Sequence, residues 1–308
     1  MQIKVWQMEW TQRLRVRQLH LLVALHENGN VSRTASQMGV TQPGLSKWLG
    51  ELERDLGVKL FERNSRGLKP TSYCVALVGH ARAVIGELDR TQATIRLMSD
   101  GASGNFVVGT TPTAATALVP KAAAYFRRQF PDAYIQIIED KLDALLPRLK
   151  EGRLDCVIGK TDQARFDAGM RCDLLFKEHL RIVVSRQHPL ARRRKVAWED
   201  VRAYPWISPL LDSPLRKELE QELALANQPA PRYRLETGST VVIIAMLQEG
   251  DLVSAMSARV AAHYQALGQI VALPLATQCA GSVGVIRRRA APNTALMRAF
   301  MEGLRLTV

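Results

Sequence analysis

The chain has 308 residues, of which 47% are hydrophobic, so it is long enough for two or three domains with apolar cores. Lysine and arginine total 42 against 29 aspartate and glutamate, and the net charge of +13 favours an acidic partner such as nucleic acid. We find neither a signal peptide nor a run of about 20 apolar residues, so we expect a cytoplasmic protein with no membrane partner.

The first predicted element is a helix-turn-helix in the N-terminal quarter of the chain. Ala35 is small enough for two helices to cross closely, and Gly39 tolerates the left-handed backbone of a tight turn. Leu45 and Trp48 follow at the spacing of two buried anchors. This pattern is typical of the helix-turn-helix that places a recognition helix in the DNA major groove.

The second helix of this unit is predicted over residues 42–56. Thr41 is a suitable N-cap, and Pro43 is tolerated in a first turn because no intrahelical donor is lost there. Glutamine can pair with adenine through two hydrogen bonds, and lysine can reach guanine or phosphate. The outward positions that would contact DNA are Thr41, Gln42, Ser46 and Lys47.

Residues 58–71 contain two short extended runs around a turn, which predicts a β-hairpin wing. The basic side chains on this hairpin suit contact with phosphates or the minor groove. They are Arg63, Arg66 and Lys69. The alternative is that they are solvated charges on an exposed hairpin.

Residues 72–98 carry a heptad stripe, apolar except for Gln92, at alternating spacings of four and three without proline, which predicts a coiled-coil linker helix. The stripe consists of Cys74, Val78, Ala81, Ile85, Leu88, Gln92 and Ile95. Such a helix would pair the helix-turn-helix units (the heads) of two chains over two DNA half-sites. The alternative is a helix packed against the C-terminal part of its own chain. Residues 99–104 then predict a flexible hinge.

Strands alternate with helices from residue 106 onward, which predicts an α/β body with a mostly parallel sheet. The predicted strands cover residues 106–110, 134–139, 156–159, 180–184, 234–237, 252–256, 270–273 and 282–287. The predicted helices cover residues 114–129, 142–151, 215–226, 239–248 and 293–304.

Ligands of open α/β sheets bind at the carboxyl ends of strands, over helix N-termini. Three loops of this kind offer hydroxyls, and one of them offers a cation, so we predict an anionic, carboxylate-bearing ligand. The predicted contacts are Thr110, Thr111, Thr113, Lys160, Thr161, Ser239 and Thr240, with Ser208 in a wall beside Trp206. The alternatives are plain helix caps, a surface charge at Lys160 and a core position for Trp206.

Neither a catalytic constellation nor a metal-ligand pattern is evident in the sequence. Cys74, Cys156, Cys172 and Cys279 form no CxxC pair, and no histidine lies at a metal-ligand spacing. We therefore predict no cofactor, no metal and no enzymatic activity. A thiol redox sensor, an enzyme and a freestanding small-molecule binding protein remain as alternatives.

The motifs in residues 31–38, 41–47 and 60–63, together with those in 151–155 and 188–190, resemble the LysR-type transcriptional regulators. The resemblance implies a winged helix-turn-helix over residues 14–71, a dimerisation linker helix over 72–99 and an effector-binding domain over 104–308. That domain would have two α/β subdomains similar to periplasmic binding proteins: subdomain I (about 104–177 and 268–308) and subdomain II (about 178–267).

The same resemblance adds Arg33 and Pro43 to the expected DNA contacts, and it aligns Lys160 with an effector-binding arginine of regulators of aromatic-acid catabolism. It implies a homodimer or homotetramer that binds and bends promoter DNA, responds to a small-molecule effector and contacts RNA polymerase. We expect such a protein on the nucleoid in the bacterial cytoplasm.

Overall fold

A computed structural model describes residues 14–64, 67–99, 103–161, 166 and 168–307, with the backbone alone at Arg63. The chain divides into two compact units. The first comprises the described residues up to Arg96 together with residues 150–153, and the second comprises the others. Among the described residues, no helix is both long enough and apolar enough to cross a membrane.

The first unit is a winged helix-turn-helix followed by one long helix. Its elements are α1 (Val16–Asn28), α2 (Val31–Gln37), α3 (Gln42–Leu56), β1 (Phe61–Asn64), β2 (Gly67–Pro70) and α4 (Ser72–Ser99). Gly39 has φ +62° in the turn before α3, as the sequence predicts. Thr41 Oγ1 accepts a hydrogen bond from Gly44 N at 3.2 Å, which confirms the predicted N-cap.

The hydrophobic core of the first unit contains the first half of the linker-helix stripe. Cys74, Val78, Ala81 and Ile85 are buried with residues of α1 and α3 such as Leu25. The prediction that the whole stripe faces a partner helix is therefore wrong for these positions. In the second half, by contrast, the exposed apolar side chains are Leu88 and Ile95.

A buried glutamate of α3 holds the start of the wing. Glu53 Oε1 accepts hydrogen bonds from Leu60 N at 2.9 Å and Phe61 N at 3.2 Å, while Lys59 Nζ lies 2.6 Å from Glu53 Oε2. Burial by itself raises the pKa of Glu53, but the hydrogen bonds from Lys59, Leu60 and Phe61 outweigh it and hold the pKa below its usual value. The hairpin is thus anchored to the recognition helix through a charged group.

The second unit is built on a mixed sheet that, within the described residues, has nine strands. The strands are β3 (Gly104–Thr110), β4 (Ala133–Glu139), β5 (Cys156–Lys160), β6 (Met170–Ser185), β7 (Trp206–Ser208), β8 (Tyr233–Glu236), β9 (Val253–Ser257), β10 (Ile270–Ala272) and β11 (Ala280–Arg288). Their order in the sheet is β4-β3-β5-β11-β6-β9-β7-β8, and β10 pairs with β6.

The sheet is less parallel than the sequence predicts. Strands β3, β4 and β5 are parallel to one another, and so are β7, β8 and β9. The long strand β6 and the late strand β11 pair antiparallel with each other, and they join the two parallel groups. β10, which was predicted in subdomain I, pairs with residues 183–185 of β6, and these residues belong to the predicted subdomain II.

The helices of the second unit cover both parallel groups. They are α5 (Pro112–Ala117), α6 (Val119–Gln129), α7 (Leu142–Lys150), α8 (Trp198–Arg202), α9 (Pro214–Leu225), α10 (Thr240–Gln248), α11 (Ala258–Ala266) and α12 (Ala295–Arg305). The single helix predicted over residues 114–129 is wrong: two helices meet at Leu118. Pro120 explains the break, because it lacks an N–H and its ring clashes with the preceding turn.

The chain returns to subdomain I at its C-terminal end, because β11 pairs with β5. Phe300 of α12 lies in the core beside Phe106 of β3 and Phe126 of α6. The ring centroids of Phe106 and Phe300 are 5.3 Å apart, and those of Phe106 and Phe126 are 5.5 Å apart. A separate core forms around Trp206, which is fully buried and donates Nε1–H to Val201 O at 2.9 Å.

Candidate functional site

The first candidate site is the exposed start of the recognition helix α3. Thr41, Gln42, Pro43 and Lys47 are exposed, and Ser46 is half-buried. The side chain of Thr41 caps the first turn and satisfies one of its backbone donors, and exposed polar side chains lie around this end of the helix. Arg33, also predicted to contact DNA, is exposed on α2.

The wing adds a second basic element to this unit. Lys69 is exposed on β2, which pairs antiparallel with β1. Of the other predicted wing contacts, Arg63 has only its backbone described and Arg66 lies outside the described residues. Leu68 N donates to Gly29 O at 2.8 Å, so the base of the wing is fastened to the end of α1.

The second candidate site is a cavity of about 340 Å³ in the second unit. It lies at the carboxyl ends of parallel strands, because its lining includes residues that end or follow β3, β4, β5, β7, β8 and β9. Residues from both predicted subdomains line it. The first turns of α9 and α10 also border it, through Pro214 and Thr240.

The structure divides the predicted ligand contacts into two groups. Thr111, Thr113, Lys160 and Thr240 line the cavity. The others do not appear in its lining, and their hydroxyls are bonded to the backbone instead. These are Thr110 (to Thr111 O, 3.2 Å), Thr161 (to Ser282 O, 3.3 Å), Ser208 (to Pro209 O, 2.7 Å) and Ser239 (from Val242 N, 3.4 Å). For this second group, a structural hydrogen bond to the backbone is enough to explain why a hydroxyl is present.

Lys160 is not the lone cation that its sequence context suggests. Its Nζ lies 2.5 Å from both carboxylate oxygens of Glu218 on α9. The two residues are each only 7% exposed, so the pair is buried. Glu178 is a further carboxyl near Lys160, and burial raises its pKa although the positive charges of Lys160 and Arg259 act against this shift.

The open end of the cavity carries its own ion pair. Lys141 Nζ lies 2.9 Å from Asp212 Oδ2, and both side chains are more than 60% exposed. The hydrogen bond and charge of Lys141 lower the pKa of Asp212, and the charge of Lys217 acts in the same direction. Lys217 and Asp143 also line this cavity.

Sequence reasoning missed these residues at the mouth. Lys141 and Asp143 follow β4, so the rule that ligands bind at strand ends would have identified them if it had been applied to every strand. Asp212 and Lys217 lie between β7 and the middle of α9, and β7 was not predicted as a strand.

The thiols provide little support for a redox sensor. All four cysteines are free, with Cys74 and Cys156 buried. Burial raises the pKa of Cys74 to about 11 and also raises that of Cys156. The pKa values of Cys172 and Cys279 are raised as well, again mainly by burial. A raised pKa disfavours the thiolate, which is the reactive form.

Comparison with known proteins agrees with this arrangement. Residues 16–74 match the family described as "Bacterial regulatory helix-turn-helix protein, lysR family", and residues 99–307 match the "LysR substrate binding domain". The chain is 33% identical over 267 residues to the HTH-type transcriptional regulator GbpR of Azospirillum brasilense, an alignment that covers 85% of this chain and 77% of that protein.

Two further similarities extend over nearly the whole chain. The chain is 30% identical over 296 residues to the HTH-type transcriptional regulator PcaQ of Agrobacterium fabrum, covering 94% of this chain and 95% of that protein. A full-length OxyR variant from Pseudomonas aeruginosa has the same fold, with a TM-score of 0.63 at 22% identity over 95% of both chains.

A winged helix-turn-helix joined to a separate α/β unit with a ligand-sized cavity defines a DNA-binding regulator that senses a small molecule. The chain belongs to the LysR family of transcriptional regulators, which are not enzymes. Its N-terminal unit is the DNA-binding part, and its C-terminal unit is the effector-binding part.

Proposed function

We propose that a small, carboxylate-bearing effector binds in the cavity and thereby changes how the protein binds and bends promoter DNA. The observation that carries this proposal is the cavity of about 340 Å³ that both subdomains line at the carboxyl ends of their strands. A ligand that touches both subdomains can bind one of their arrangements better than another. Only such differential binding shifts a conformational equilibrium.

The mouth of the cavity suits a carboxylate because a group bound there stays exposed to solvent and meets helix N-termini. Lys141 and Lys217 line it together with Asp143 and Asp212, and the first turns of α9 and α10 border it. Helix N-termini present unpaired backbone N–H groups and a partial positive charge, so they favour anions. Of the predicted contacts, Thr111, Thr113, Lys160 and Thr240 are the ones whose lining positions support a role in binding.

We assign the reading of promoter DNA to α3 and the wing. In this proposal α3 enters the major groove, where Gln42 pairs with adenine and Lys47 with guanine or phosphate. Arg33, Thr41, Pro43 and Ser46 complete the contact around the helix start. The wing residues Arg63, Arg66 and Lys69 contact phosphates or the minor groove.

We further propose that the protein acts as a homodimer or homotetramer on an interrupted palindrome. Support comes from the exposed apolar side chains Leu88 and Ile95 on the second half of α4. The proposed division remains 14–71 for the head, 72–99 for the linker and 104–308 for the effector domain. We also propose that the protein is located on the nucleoid in the cytoplasm and contacts RNA polymerase there.

The test is a gel-shift and DNA-bending assay on a fragment that carries the protein's own promoter, with and without small carboxylic acids. We expect affinity to fall steeply with salt, and one acid to change affinity or bend angle. Failure to retain this fragment at low salt would contradict DNA regulation by this chain. Retention that no acid changes would contradict the carboxylate effector alone.

A further inference from the structure

The two ends of the cavity differ in exposure. Lys141 and Asp212 at one end have side chains that are 62% and 68% exposed, so this end is open to solvent. Lys160 also lines the cavity, but its side chain is only 6% exposed. Lys160 therefore marks the closed end. Because Ser257 is 2% exposed and lines the same cavity, it also lies away from the mouth.

The closed end has no excess positive charge. Two of the three donors of the Lys160 ammonium group are directed to Glu218, at 2.5 Å from each carboxylate oxygen. Glu178 adds a second carboxyl close enough to interact with the charge of Lys160. The guanidinium of Arg259 lies over the Phe176 ring at 4.0 Å and donates to Thr307 O at 2.8 Å.

A second carboxylate on the ligand would be unfavourable at this end. It would lose its hydration in a buried space, and the negative charge of Glu218 would repel it. A neutral oxygen has neither cost, because it can accept the third Lys160 N–H and pair with the Ser257 hydroxyl. Removing Glu218 from Lys160 to make room would leave a buried carboxylate without its partner.

We infer that Glu218 sets the charge of the ligand's inner end, so that the effector is a monocarboxylate with a hydroxyl or carbonyl group opposite its carboxylate. Dicarboxylates of the same length, which carry a second carboxylate in place of that hydroxyl or carbonyl group, are rejected. This inference rests on the proposed carboxylate effector, and it specifies which acids the cavity accepts. Glu218 contributes selectivity by excluding a charge, which is a form of specificity that depends on repulsion as much as on attraction.

The experiment compares acids that differ only at one end: 6-hydroxyhexanoate with adipate, and gluconate with glucarate. Calorimetric titration is done on the full chain, as wild type, Glu218→Gln and Glu220→Gln. Glu220 is the matched control, since it lies on the same helix, binds Arg216 at 2.7 Å and has a side chain that is 49% exposed. Neither glutamate lines the cavity, but Glu218 is paired with Lys160, which does.

In the wild type and the Glu220→Gln variant, we expect at least one hydroxy acid to bind roughly tenfold or more tightly than its dicarboxylate partner. In Glu218→Gln this ratio should fall by about the same factor or reverse, because the positive charge of Lys160 is then no longer neutralised by Glu218. The double variant Lys160→Gln with Glu218→Gln should retain the wild-type preference, since its closed end is neutral again.

Two results would overturn the inference while leaving the carboxylate effector in place. One is a dicarboxylate that binds the wild type as tightly as its hydroxy-acid partner. The other is a ratio that Glu218→Gln leaves unchanged. If Glu218→Gln does not fold, the wild-type comparison still decides the matter. If no acid of either pair binds any of the folded proteins, the carboxylate effector itself is wrong and the inference falls with it.

Discussion

Lys160 Nζ lies 2.5 Å from Glu218 Oε2, and this buried pair joins β5, in the predicted subdomain I, to α9, in the predicted subdomain II. A buried ion pair adds little net stability when compared with a well-packed apolar pair, but the loss of one partner is costly. A single substitution at either residue should therefore lower stability as well as change binding, and a double substitution should lower stability less.

Replacing Lys160 alone should destabilise the protein. We expect Lys160→Met to lower the free energy of unfolding by about 3–5 kcal/mol, because Glu218 is left buried without its cation. The double variant Lys160→Met with Glu218→Met should recover most of that loss. Urea denaturation of the full chain, monitored by near-UV circular dichroism, measures the free energy of unfolding of the effector unit in both variants. Equal losses in the two variants would contradict the assignment.

Glu53 should make the stability of the first unit depend on pH. Folding lowers the pKa of Glu53, so its contribution is present above the pKa of the unfolded chain and is lost as the pH falls through the folded-state pKa. We expect Glu53→Gln to cost about 1–3 kcal/mol at neutral pH and progressively less in acid. Thermal melts between neutral and acidic pH measure the difference, and a cost that does not change with pH would contradict this role.

Gly67 should be intolerant of a side chain. Its φ is +127°, and a Cβ at this position would lie 2.5 Å from Gly29 O. We expect Gly67→Ala to cost roughly 1–3 kcal/mol and to weaken DNA binding through the displaced wing. Gly79→Ala is the control, since it has open space on helix α4 and should stabilise by about 1 kcal/mol. Comparable melting temperatures for the two variants would argue against a strained turn.

Gln42 and Lys69 should affect DNA binding differently. We expect Gln42→Ala to reduce binding to the specific promoter site by about 1–3 kcal/mol while leaving random DNA almost unchanged. Lys69→Ala should weaken binding to both and reduce the salt dependence by about one unit of slope. Fluorescence anisotropy titrations at several salt concentrations distinguish these results. Equal losses on both DNAs for Gln42→Ala would remove it from base recognition.

Replacing apolar residues by glutamate should have different effects in the two halves of α4. Leu88 and Ile95 are 44% and 59% exposed, so Leu88→Glu with Ile95→Glu should prevent self-association and leave the head folded. Val78, only 2% exposed, lies in the head core, and Val78→Glu should unfold the head instead. Sedimentation velocity and circular dichroism measure the two outcomes. A Leu88/Ile95 variant that still associates would exclude this face.

Local signals made the head predictable from sequence. The bounds of α3, Gln42–Leu56, agree with the prediction because Thr41 caps its start and Gly57 adopts φ +68° at its end. In the effector unit, the buried apolar runs of β3 and β5 identified strands directly. The first part of β6 was missed, because residues such as Arg171 and Lys177 give it no continuous apolar run.

Features that depend on distant residues could not be predicted in this way. Nothing in the neighbourhood of Lys160 indicates that Glu218, 58 positions later, would neutralise it. The spacing of the α4 stripe is likewise correct for burial, but spacing alone does not distinguish the core of the same chain from the face of a partner. The candidate cavity was therefore predicted in its location but not in its charge.

The burial of Cys74, Val78, Ala81 and Ile85 among the helices of the head has a practical consequence for engineering. Any chimaera that grafts this DNA-binding head onto another sensor has to carry the first four turns of α4 with it. A junction placed after Thr71 would remove four core side chains and leave an apolar surface open to aggregation. A junction beyond Ile85 would keep these four side chains in the transplanted head.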